Sequence, residues 1–173
     1  MTFCAIRPVA AAAAWAIALT ALTPALAQIA EPEPWTETPA TPPATWSAER
    51  AVEFRLGNTA SLRYAIDPQT LAVGEDGVVR YVFIARSSSG AVNALYEGVR
   101  CQTAEVKVYA RWDPDARQWR SNAAAPWQEM DFRGATRRAL QMARGGLCDG
   151  KVANRSTALI LDALRNGRAD QFR

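Results

Sequence analysis

Tyr96, Glu97 and Arg100 stand together just ahead of Cys101. An arginine grips a carboxylate or phosphate through two parallel N–H bonds, and a tyrosine and a glutamate beside it can orient what it holds. These three are therefore the candidate ligand-binding residues. The same residue types can also pair internally, Arg100 with Glu97, Asp76 or Glu105. On a strand, Tyr96 and Arg100 would share one face and Glu97 would take the other. The carboxylates Asp67, Asp76, Glu97 and Glu105 could supply a glycosidase pair, although no spacing singles two of them out. Trp112, Trp119 and Trp127 could form an aromatic platform for sugar or peptide, or close the core of a small domain. Arg133, Arg137, Arg138, Arg144, Lys151 and Arg155 make the C-terminal region basic. That suits anionic lipid head groups or lipopolysaccharide, or simply a solvated helix face. Histidine is absent, which removes the usual general base, the commonest metal ligand and the physiological pH switch. No glycine pair matches a phosphate loop. No catalytic residue, metal site or cofactor is predicted.

Cysteine usage and the N-terminus bear on the compartment. The apolar run Val9 to Leu22 follows Arg7 and precedes Ala25-Leu26-Ala27. That is the order of a secretory signal peptide, with cleavage expected before Gln28. As a helix the run would reach roughly 21 Å, short of the ~30 Å hydrocarbon core. The alternative is an uncleaved anchor. Cleavage would remove Arg7 and Cys4 and leave Cys101 and Cys148. An even count in an exported chain reads as a disulfide. It would close a loop of about 48 residues, and chain entropy assigns such a closure on the order of 4 kcal/mol as an upper figure. Two unrelated buried thiols are the alternative.

Gln28 to Ser47 holds Pro32, Pro34, Pro39, Pro42 and Pro43, half of the 10 prolines. Proline at that density forbids a helix and favours extended chain, so residues 28–47 read as a linker between the signal (1–27) and a domain (48–173). Trp35 and Trp46 could dock on that domain. Val52 to Leu56 and Leu62 to Ile66 alternate as half-buried strands. Gly74-Glu75-Asp76-Gly77 is a hairpin turn. Val78 to Arg86 is β-branched, aromatic and almost continuously apolar, so it should be central and covered on both faces. Ala91 to Val99, Glu105 to Trp112 and Gln118 to Arg120 extend an antiparallel meander. The period then changes. A helix is predicted from about Phe132 to Arg144 behind Asp131, with Phe132, Ala135, Ala139, Leu140 and Ala143 on one face. A second follows Asn154 or Ser156 and ends near Asn166. The fold class is α+β, an antiparallel sheet of about four to six strands with two C-terminal helices packed on it.

Asp76-Gly77-Val78-Val79-Arg80-Tyr81, Ser89-Gly90-Ala91 and above all Tyr96-Glu97-Gly98-Val99-Arg100-Cys101 resemble the CNP1-like family of exported bacterial proteins. The likeness continues through Val108-Tyr109-Ala110, the Trp119 and Trp127 region and a second cysteine in the helical part. It covers Phe54 to Leu164. The resemblance implies a Gram-negative periplasmic or envelope setting and no activity, the family being a domain of unknown function. Some relatives look like lipoproteins; here no cysteine follows the apolar run. The expectation is a periplasmic binding or interaction module, not an enzyme. Its partner would be an envelope protein or an anionic envelope component, without nucleic acid and without a membrane span after cleavage. The alternatives are a carboxylate-dependent enzyme acting on an envelope polymer and a purely structural envelope protein.

Overall fold

The computed structural model describes residues 34–56, 61–122 and 124–167. The predicted signal peptide and the first part of the Pro-rich segment lie outside the described residues. From Trp35 onward the chain forms one compact unit. It is α+β, as the change of period predicts.

Alternation and β-branching give the strands. Strands β1 (Val52–Phe54), β2 (Leu62–Ile66), β4 (Val78–Ser87), β5 (Val92–Arg100), β6 (Glu105–Asp113) and β7 (Gln118–Ser121) form one antiparallel sheet in the order β1-β2-β4-β5-β6-β7. Two-residue strands β3 (Ala72–Val73) and β8 (Gln128–Glu129) pair with β4 and β6. They were too short to show a period. As predicted, β4 is central, and Val78 through Ile84 are buried without a break. Asp67 and Pro68 end β2, with the Asp67 side chain capping a single 3₁₀ turn through Gln69 N.

The register is interrupted once. Tyr96 pairs with Ala110 and Glu97 with Val108, so Tyr109 is the extra residue of a bulge in β6. A bulge resets which side chains face which way. Here Tyr109 and Ala110 both join the apolar cluster of one sheet face.

That sheet has two covered faces. On one, Val79, Tyr81, Phe83, Leu95 and Val99 meet the C-terminal helices. Helix α1 (Arg137–Met142) runs into a wider turn through Leu147, and short strands β9 (Cys148–Asp149) and β10 (Val152–Ala153) lead to α2 (Thr157–Arg165). Ser156 caps α2 by accepting from Leu159 N. Met142, Leu147, Ile160 and Leu164 are wholly buried, and each such side chain contributes about 1.5–3 kcal/mol over leaving it in water. Gly146 is required where the two helices meet. Its φ is +151°, and a Cβ there would lie 2.7 Å from that of Ala163. The Cys101–Cys148 disulfide ties the end of β5 to the strand after α1.

Two expectations change on this side. The first helix begins at Arg137 behind Thr136, not at Phe132 behind Asp131. Gly134 adopts φ +74° just before it, which breaks any helix started at Asp131. Phe132 is consequently exposed, with the Arg144 guanidinium over its ring.

Candidate functional site: the strap-covered sheet face

The second face is covered by the Pro-rich segment. Residues 35–47 were expected to tether the domain; they lie along its sheet as a strap. Prolines keep the strap extended, and that extension lets it present side chains and peptide groups in sequence to the strands beneath.

Three anchor points hold it. At the first, Trp35 Nε1 donates to the Asp76 carbonyl at 2.9 Å, and the Arg100 guanidinium stacks 3.8 Å from its ring. Thr38 N donates to the Asp76 carboxylate, while Arg80 donates to the Thr38 carbonyl, each at 2.9 Å. At the second, the Glu37 carboxylate accepts from Tyr109 Oη at 2.8 Å, Lys107 Nζ at 3.0 Å and Trp127 Nε1 at 3.2 Å. At the third, Trp119 Nε1 donates to the Pro43 carbonyl at 2.9 Å, and Trp46 packs on Trp112 and Trp119 with ring centroids 5.4 and 6.1 Å away. Beyond Trp46, Ser47 N and Arg50 both donate to the fully buried Asp67 carboxylate. Every described tryptophan belongs to this face.

The electrostatics follow from these contacts. Burial pushes the Glu37 carboxyl up, but the bonds from Tyr109, Lys107 and Trp127 outweigh it and hold the group below its ordinary value. Asp76 is likewise raised by burial and lowered further by Arg80 and the Thr38 amide, with a net fall. Burial, reinforced by the Glu37 carboxylate, keeps the Tyr109 hydroxyl protonated far above its usual range. Glu37 and Asp76 are therefore ionised and Tyr109 neutral near pH 7.

Gly98, at the centre of the Tyr-Glu-Gly-Val-Arg-Cys run, makes room on this face. A Cβ at Gly98 would sit 2.7 Å from Tyr109 Oη and 2.9 Å from Val78 Cγ1. Only glycine leaves room for the bulged tyrosine to reach Glu37.

The three candidate residues do not converge. Tyr96 and Arg100 turn to the strap and Glu97 away from it, as alternation predicts. Tyr96 is buried against Tyr109 and Trp119. Arg100 is committed to the Trp35 ring and to Glu105 at 3.7 Å. Glu97 is wholly buried on the helix side, where Arg138 grips it through two bonds of 2.6 and 2.7 Å and lies 3.8 Å from the Phe83 ring. The internal pairing considered for Arg100 is therefore the one seen, with Glu105. Arg138, grouped by sequence with a solvated basic face, is instead the partner of a core carboxylate. Burial lowers its proton affinity, but the Glu97 charge and hydrogen bonds more than restore it.

Sequence reasoning gave no role to Glu37, Arg80 or Lys107 and placed Arg138 on the wrong surface. One signal was available: a glutamate inside an apolar strand needs a cation from elsewhere in the chain. Among the described residues no cluster of three or more His, Cys, Asp or Glu is placed to hold a metal ion.

The model of the CNP1-like family matches residues 30–165. The chain belongs to the CNP1-like family. The match takes in the strap as well as the sheet and both helices, so in this CNP1-like chain the Pro-rich segment is part of the family unit. No curated protein and no solved structure is detectably similar to the chain. Among the described residues of this CNP1-like domain, no helix is long and apolar enough to cross a membrane.

Proposed function

We propose that this chain is an exported, periplasmic protein of a Gram-negative envelope and works as a non-catalytic binding module. Its working surface is the strap-covered face, and its ligand is an extended, acidic, proline-containing polypeptide segment of an envelope protein. The observation that supports this is the strap itself. It is held as such ligands are held, by indole N–H donors to main-chain carbonyls, by aromatic walls and by one cation with two neutral donors on a single carboxylate. The non-catalytic reading is supported by the four carboxylates singled out in the sequence. Asp67 pairs with Arg50, Asp76 with Arg80, Glu97 with Arg138 and Glu105 with Arg100. Each is thus already engaged by an arginine of the chain, whereas a glycosidase needs a carboxyl free to exchange a proton with its substrate.

The test compares the full-length protein with a Trp35→Ala/Glu37→Ala variant, in which the strap is loosened. Each is crosslinked in intact envelopes, and what it retains is identified by mass spectrometry. One dominant protein partner is expected, recovered in larger amount by the variant. Recovery of abundant bystanders alone from both proteins would overturn the reading.

A further inference from the structure

The strap leaves one end of its sheet face open, and an unbalanced charge lies there. In the β2–β4 ladder Arg63 and Arg86 are directly opposed. Two like charges in that relation repel one another across the pair. Around them lies a pocket of about 430 Å³, lined by Glu53, Ser61, Arg63, Arg86, Ser87 and Ser88, with Gly90 at its rim.

The neighbours do not neutralise both cations. Glu53 reaches Arg63 at 3.4 Å, with both side chains mostly in water, and such a pair holds weakly. The Arg86 side chain is half-buried, and its guanidinium makes no hydrogen bond or ion pair among the described residues. Glu49 lies near enough to feel Arg86, but its carboxylate is held chiefly by the Ser47 hydroxyl, which donates to it at 2.6 Å. The Ser61 and Ser88 hydroxyls make no hydrogen bond among the described residues, while Ser87 is occupied with Ser89 and the Ala91 amide.

We infer that the pocket between Arg63 and Arg86 is a binding site for a phosphate group. A guanidinium offers a planar fork of N–H donors, and one fork is filled by the two oxygens of a carboxylate. Two forks with serine hydroxyls beside them call for an anion with more acceptor oxygens arranged in three dimensions, which a phosphate has. None of the residues lining the pocket has an apolar side chain, so the phosphate group rather than an attached chain is what it reads. That group could come from a soluble phosphate or from a phospholipid head group. The inference does not rest on the strap as a peptide site.

The full-length protein is titrated with inorganic phosphate while the arginine Nε–H and backbone amide resonances are followed. In parallel it is floated with vesicles of phosphatidylglycerol in phosphatidylcholine. Saturable shifts centred on Arg63, Arg86 and the Ser87–Gly90 turn are expected. Arg86→Gln should weaken binding about tenfold, the loss expected for a charge-assisted contact. The melting temperature without phosphate should not fall, because the substitution removes a repulsion. Arg63→Gln, at a more exposed position, repeats the test should Arg86→Gln misfold. Phosphate binding without flotation assigns a soluble source, and flotation lost in Arg86→Gln assigns the head group. Neither response at this pocket, or phosphate affinity unchanged in both variants, overturns the inference.

Discussion

The helix-covered face is closed by aliphatic side chains, one disulfide and one ion pair, whereas the strap-covered face is closed by indoles, prolines and a set of charges. The difference lies in what can replace each cover. Aliphatic side chains gain by leaving water and have no other partner to turn to. Most strap contacts are hydrogen bonds and ring edges that another extended chain could supply equally well. A sheet buried on both faces thus has one side built as a core and one side built as an occupied groove.

The sharpest way to break this comparison is at the ion pair. Arg138→Ala leaves the Glu97 carboxylate buried without its cation, and about 3–5 kcal/mol should be lost in urea unfolding. Glu97→Leu combined with Arg138→Met should recover most of that loss. If Arg138→Ala costs no more than a surface change, the helix side is not the rigid half.

A smaller effect is expected at the strap. Glu37→Ala deprives Tyr109, Lys107 and Trp127 of their shared acceptor and should cost about 1–2 kcal/mol. The far-ultraviolet spectrum should stay intact while tryptophan fluorescence moves to longer wavelength. Loss of the sheet signal along with the strap signal would make the strap part of the core.

The mildest perturbation is acid. The folded Glu37 and Asp76 carboxyls lie below their ordinary values of 4.5 and 3.8. Their contribution is complete above those values and fades as pH falls through the lower, folded ones. Tryptophan fluorescence should therefore report strap release on acidification from neutral pH, and a signal that stays flat until the sheet itself unfolds in acid would contradict it.

Much of the sheet was legible because its residues are read locally. Alternation from Val52 to Leu56, the continuous run from Val78 to Arg86 and the Gly74–Gly77 turn need no knowledge of distant chain, and strands β1 and β4 lie there. The pairing of Cys101 with Cys148 followed from cysteine number once Cys4 was assigned to the expected signal peptide. The strap was not legible, because proline content says that a segment is extended and nothing about what it lies upon. The donors to Glu37 are 70 to 90 positions away. Arg138 was misassigned for the same reason, its partner being 41 positions distant on β5. The three residues proposed from proximity in sequence were divided between two faces, since adjacent strand residues point apart.

The strap's position at the start of the domain has a consequence for the order of assembly. Trp35 waits for Asp76, 41 residues later, and Glu37 for Trp127, 90 residues later. A chain that emerges N-terminus first therefore offers this aromatic, proline-rich stretch unprotected until most of the sheet has followed it. For that interval it is open to any chaperone that binds extended chain, and the finished domain draws Trp35, Glu37 and Trp46 partly out of reach once β8 arrives.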